Sequence, residues 1–150
     1  MTTSPPAPSG AVVLDTNVIS ELMRAAPDVR VQDWARKVPP DRVFTTSVTL
    51  AEVRFGIARL PAGRRRALLD TAADDVFGTF ADRVLPFDVV AANAYADLVA
   101  ERERAGEPIA GFDAQIAAIC RVHRAALVTR NTRDFARLGL DLIDPWLAGT

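Results

Sequence analysis

At 150 residues, 49% hydrophobic and 25% charged, the chain has the make-up of one ordinary soluble globular domain. A formal net charge of −1 argues against binding nucleic acid through a broad basic face. The single cysteine, Cys120, rules out an intrachain disulfide, and no apolar run approaches the ~18 residues of a membrane span, so a cytoplasmic location is expected. Lys37 is the only lysine; the other cations are arginines, whose planar forks suit carboxylate or phosphate.

Residues 1–10, "MTTSPPAPSG", have neither a basic nor an apolar segment of a signal peptide and read as a disordered lead to a domain spanning 11–150. "VVLD" (12–15) reads as a buried strand followed by a short helix. "DVRVQDWARKV" (28–38) sets Val31, Trp34 and Val38 on one helical face, and after the turn "PPDR" comes a second strand, "VFTTS" (43–47). Val48, Leu50, Val53, Ile57 and Leu60 keep helical spacing. "PAG" (61–63) breaks the chain before a long amphipathic helix to about residue 81, which makes a helical hairpin. "VLPF" (84–87) is a third strand, and Asp88 caps a helix reaching about Ala105. A further helix enters near Asp113 with Ile116, Ile119, Cys120 and His123 on its apolar face. "ALVT" (126–129) is a fourth strand, "NTRDF" one helical turn, and "LDLIDPW" (140–146) holds a fifth strand. Strands alternating with helices imply an α/β fold with a mostly parallel, about five-stranded sheet.

The polar residues fall at the strand ends. Asp15, Thr16 and Asn17 follow the first strand, Glu52 lies in the first turns after the second, Asp113 opens a helix, and Asn131 and Asp134 follow the fourth. Ligands of an open parallel sheet bind outside the carboxyl ends of its strands, so these side chains are brought toward one edge. Each also has a purely structural reading. Asp15 suits a helix N-cap, Glu52 closes a capping box with Thr49 in "TLAE", Asp113 suits the dipole of a helix start, and Asn131 with Asp134 fits a cap on the short turn. Three or four carboxylates converging on one crevice, however, repel one another unless a cation neutralises them. A site of oxygen donors suits Mg²⁺ or Mn²⁺, and the natural chemistry of such a site is metal-assisted phosphodiester hydrolysis. Two captured ions would move the formal charge from −1 to about +3 and draw RNA in.

"VVLDTNVISEL", "TTSVTLAEVRFGIARL", "VLPFD", "IAGFDAQIAAIC" and "LVTRNTRDF", in that order, resemble the PIN-domain ribonucleases, and most of all the VapC-type toxins of type II toxin–antitoxin pairs in their FitB-like branch. The resemblance covers roughly residues 11–147. It implies an α/β/α sandwich whose acidic pocket binds Mg²⁺ or Mn²⁺ and cuts RNA, with Asp15, Glu52 and Asp113 in the three acidic positions and Thr16 and Asn17 as the polar residues after the first. The fourth slot departs from the simplest pattern: it is shared by Asn131 and Asp134, with Asp134 preferred as the ligand. The resemblance further implies a homodimer and a VapB-type antitoxin whose C-terminal segment lies along the helical hairpin and blocks the pocket.

Arg130 and Arg133 flank the fourth slot and are weaker candidates for holding substrate phosphate. Arg64, Arg65 and Arg66 suit a solvated helix face, with RNA or an acidic partner as the alternatives. His123, Cys120, Trp34 and Trp146 read as packing. Three other classes fit less well. An aspartyl phosphatase lacks its general acid because the third position of its signature is Asn17. A receiver domain lacks its late lysine. A non-catalytic partner-binding module is disfavoured by the complete acidic set.

Overall fold

The computed structural model describes residues 5–147. The expected α/β architecture is present, and the sheet is parallel throughout. Its strands are β1 (Val12–Leu14), β2 (Val43–Thr46), β3 (Val84–Leu85), β4 (Ala126–Val128) and β5 (Leu142–Ile143), in the order β3-β2-β1-β4-β5. The helices are α1 (Thr16–Leu22), α2 (Val29–Lys37), α3 (Ser47–Ala58), α4 (Arg64–Phe80), α5 (Val89–Arg104) and α6 (Gly111–His123). Short 3-10 turns occupy Pro40–Arg42 and Thr132–Phe135.

Alternation along β1 divides the core into two layers. Val13 faces one side, with Leu127 of β4, Leu98 of α5 and Ile116 and Ile119 of α6. Val12 and Leu14 face the other, with Val18 and Ile19 of α1, Val31 of α2, Val53 of α3 and Phe77 of α4. Strands covered on both faces read as continuous apolar runs because neither side meets water. "VVL" and "ALV" are short for the same reason: three residues suffice to cross a sheet clamped between helices.

The helix starts are chemically marked. Asp28 and Asp88 each accept a backbone N–H of the helix they precede, from Arg30 and Ala91. At α3 the cap is Thr46, the last residue of β2, whose hydroxyl accepts from Thr49 N–H. The strand therefore runs into the helix with no loop, and Thr49 is already helical. This overturns the capping box of Thr49 and Glu52, and it frees both side chains for other partners. Helix α6 starts two residues before Asp113, which occupies the first turn rather than the cap.

His123 is buried, and its Nδ1 accepts the Ala7 N–H at 3.0 Å, consistent with a packed histidine satisfied by the chain's own lead. Residues 1–4 of that lead lie outside the described residues. Among the described residues no helix is long and apolar enough to cross a membrane.

Ile116 is fully buried where α6 meets the sheet. Ile116→Ala is expected to destabilise the fold by about 2–5 kcal/mol in urea unfolding, through lost burial and the cavity left behind.

Candidate active site

Asp15 closes β1 and caps α1. Its carboxylate is 3% exposed, so its charge has to be met by the protein. Three donors meet it: Thr16 N–H to Oδ1 at 2.8 Å, and to Oδ2 the Thr129 hydroxyl at 2.8 Å and Asn17 Nδ2 at 3.2 Å. Burial pushes the Asp15 carboxyl above its usual range, and these three bonds pull it part of the way back.

The bonds extend outward. Thr129 Oγ1 also accepts from Asn17 Nδ2 at 3.2 Å and from Asn131 N–H at 3.0 Å, while Asn17 Oδ1 accepts Arg130 N–H at 3.1 Å. The end of β4 and the start of the Asn131–Asp134 turn are thus fastened to the residues after β1. On the other side of Asp15, the Thr16 hydroxyl donates to Glu52 Oε1 at 2.8 Å and lies 3.1 Å from Thr49 Oγ1. Thr49 and Glu52, one turn apart on α3, are therefore held against α1 by one hydroxyl.

Asp113 completes the group. Its carboxyl is pushed up to about 6, first by burial and then by the negative charges of Asp15, Asp134 and Glu52. Four carboxylates from four separate stretches of sequence thus sense one another at the carboxyl ends of β1, β2 and β4. Among the described residues no three His, Cys, Asp or Glu side chains are already drawn close enough to grip an ion, so the acids face one another at Coulombic rather than ligating range. As a donor set they fit a hard divalent cation: every group is an oxygen, and a cation would offset the raised pKa values of Asp15 and Asp113.

The chain is similar to known proteins along most of its length. The chain matches the PIN domain model over residues 12–140. This chain belongs to the PIN-domain family. The VapC ribonuclease Y4jK of Sinorhizobium fredii is 43% identical over 90% of this chain and 97% of its own length. Toxin FitB of Neisseria gonorrhoeae is 35% identical over 90% of this chain and 98% of its own. A crystal structure of FitAcB from the same organism superposes with a TM-score of 0.83, at 34% identity, over 91% of this chain and 99% of that one.

In this PIN domain hydrogen bonds join Asp15, Thr16, Asn17 and Glu52, and Asp113 and Asp134 lie within Coulombic range of them. Asn131 joins through its backbone only: it stands at the N-cap of the 3-10 turn without a side-chain capping bond, so the capping reading of Asn131 and Asp134 does not hold. Arg133 is exposed, and no hydrogen bond or ion pair of its side chain is present among the described residues. Arg130 lays its guanidinium 4.8 Å over the ring of Trp146, which is therefore a platform as well as a packing residue. Arg66 donates to Leu60 O at 3.3 Å and helps close the hairpin, whereas Arg64 and Arg65 are exposed. Two residues were missed from sequence. Thr129 holds Asp15, and its signal was a lone hydroxyl at the end of an apolar strand. Arg102 gave no local signal at all.

Two tests follow from the network. Thr129→Val keeps the shape but removes three hydrogen bonds around a buried carboxylate; a loss of about 1–3 kcal/mol in urea unfolding is expected. Asp113 gives a pH test. Its folded value of about 6 lies above the unfolded 3.8, so folding takes up a proton between these values and stability falls as pH rises through them. In EDTA, Asp113→Asn should therefore melt higher than the parent above pH 6 and lose that advantage below pH 3.8. An equal difference at both ends would rule out the charge repulsion.

Proposed function

We propose that this PIN domain is a divalent-metal-dependent endoribonuclease and the toxin of a type II toxin–antitoxin pair. The observation that carries the catalytic part is the gathering of Asp15, Glu52, Asp113 and Asp134 at the strand ends, where burial and, after it, the charges of the other three lift Asp113 to about 6. A fold does not maintain such an arrangement for stability, because the neighbouring acids make Asp113 harder to ionise. The names of its relatives, a VapC ribonuclease and a FitB toxin, support the reaction class and the biological role.

Asp15, Glu52, Asp113 and Asp134 would hold Mg²⁺ or Mn²⁺. The ion supplies Lewis-acid polarisation of the phosphodiester and acidifies water beside it. The chain's own residues set the stage. Thr129, Asn17 and Thr16 N–H fix Asp15 in direction and offset part of the effect of its burial. The Thr16 hydroxyl fixes Glu52, leaving its second oxygen open. Exposed Arg133, one residue before Asp134, is placed to meet the backbone of incoming RNA.

The partner reading rests on the hairpin. Leu68 of α4 is 60% exposed, and with Arg64, Arg65 and Leu69 it lines a mixed apolar and basic surface; Phe55 of the adjoining α3 is 65% exposed. Such a surface suits an amphipathic, acidic segment of an antitoxin laid along the hairpin toward Glu52. Val89, Val90 and Phe112 are further exposed apolar residues and supply surface for a second copy in the expected homodimer.

Purified, antitoxin-free protein incubated with total bacterial RNA in Mn²⁺ or Mg²⁺ should produce defined new 5′ ends, read by sequencing. EDTA and Asp113→Asn should each abolish them while the fold persists by circular dichroism. Folded wild-type protein that yields no new ends and shows no saturable Mn²⁺ binding would sink the enzymatic reading.

A further inference from the structure

Arg102 of α5 is the unusual residue outside the acidic group. It is only 9% exposed, and among the described residues no carboxylate lies within ion-pairing distance of it. Its guanidinium instead reaches two backbone carbonyls, Nε to Glu107 O at 2.6 Å and one terminal nitrogen to Ala136 O at 3.2 Å. A guanidinium has five N–H donors, so most of its donors are uncommitted. No buried side-chain nitrogen or oxygen among the described residues lacks a partner, which means that the uncommitted terminal nitrogen is not sealed in the core. Arg102 lines a cleft of about 240 Å³.

That cleft is bordered by Arg102, by the loop Pro108–Ala110, and by Asp113, Arg133 and Asp134. Its lining therefore combines two guanidinium groups that are in no ion pair with two members of the acidic set. Its volume is below the range of typical small-molecule pockets and suits a single charged group rather than a folded partner. A planar cation with free N–H groups in a partly dehydrated cleft is matched to a phosphate, which it can bind in bidentate fashion.

We propose that the Arg102–Arg133 cleft is a phosphate subsite for the RNA strand, seating a backbone phosphate next to the one cut at the acidic pocket. The proposal rests on the ribonuclease reading. Arg102 has two jobs in it. Through Glu107 O and Ala136 O it ties the α5–α6 loop to the segment after Asp134, and through its free N–H groups it receives the strand. Arg133 supplies the second charge from the solvent side. Asp113 and Asp134 also line the cleft, and a divalent cation held by the acidic set would offset their charge toward the phosphate.

The test is equilibrium binding of a short fluorescein-labelled single-stranded RNA, followed by anisotropy in Ca²⁺ over a series of KCl concentrations. Arg102→Gln and Arg133→Gln should each weaken binding and flatten the dependence of log K on log salt by about 0.7, the loss of one phosphate contact on a single strand. Arg102→Lys keeps the charge but not the fork, and should recover the salt slope while melting lower than the parent. Replacing linkages one at a time with uncharged methylphosphonate should reveal one position that weakens the parent but not Arg102→Gln. Should Arg102→Gln not fold, the exposed Arg133→Gln variant and the same linkage scan decide between the outcomes. RNA cleavage by the parent with unchanged salt slopes in the variants would overturn the cleft and leave the ribonuclease intact. A parent that neither binds nor cuts RNA would overturn both.

Discussion

The structure is organised around one awkward demand, a carboxylate placed inside the protein at the end of its central strand. Asp15 sits where β1 is covered by helices on both faces, and burying an ion without partners is expensive. The chain answers with donors from three directions: its own next backbone N–H, Asn17 in the first turn of α1, and Thr129 at the end of β4. Each donor recruits something more. Thr129 accepts from the turn that carries Asp134, Asn17 receives Arg130 N–H, and Thr16 fixes Glu52. The acidic group is thus not four independent choices. It is the surroundings of one buried charge, extended until they reach solvent.

The segment after Asp134 is secured from the opposite side by arginines. Arg102 binds Ala136 O, Arg121 of α6 donates to Leu138 O at 2.8 Å, and Arg137 pairs with Glu107 at 2.8 Å. Carbonyls of an irregular segment need donors wherever they are shielded from water, and long side chains from α5 and α6 supply them. Asp134 is therefore held between two sets of hydrogen bonds, one running back to Asp15 and the other to the α5–α6 side. This suits a residue that must be exposed yet keep its position.

Much of this was legible in the chain. The doubly buried strands, the alternation with helices and the placement of acids at strand ends all follow from local spacing, and local spacing is what a sequence displays. The misreadings have a common cause. "TLAE" has the form of a capping box, but β2 passes directly into α3, so the helix starts before Thr49 and the cap falls to Thr46. Thr129 and Arg102 act through partners 114 and 34 residues away, and no periodicity encodes such contacts. Asn131 has the right identity for a cap but contributes its backbone N–H, because the hydroxyl of Thr129 already stands beside it.

The reach of the Asp15–Thr129 bond also bears on how the protein is made. Strand β1 emerges from the ribosome early, yet one of its two sheet neighbours is β4, and the donor that offsets Asp15's burial belongs to the last fifth of the chain. Contacts so distant in sequence form late, after the closure of a long loop. Until β4 has paired with β1, Asp15 lacks the Thr129 donor, so the pocket closes only after the two strands have met. The contacts of the α3–α4 hairpin are local by comparison, and local contacts form ahead of distant ones. An inhibitor that recognises the hairpin therefore has its binding surface presented ahead of the activity it must restrain.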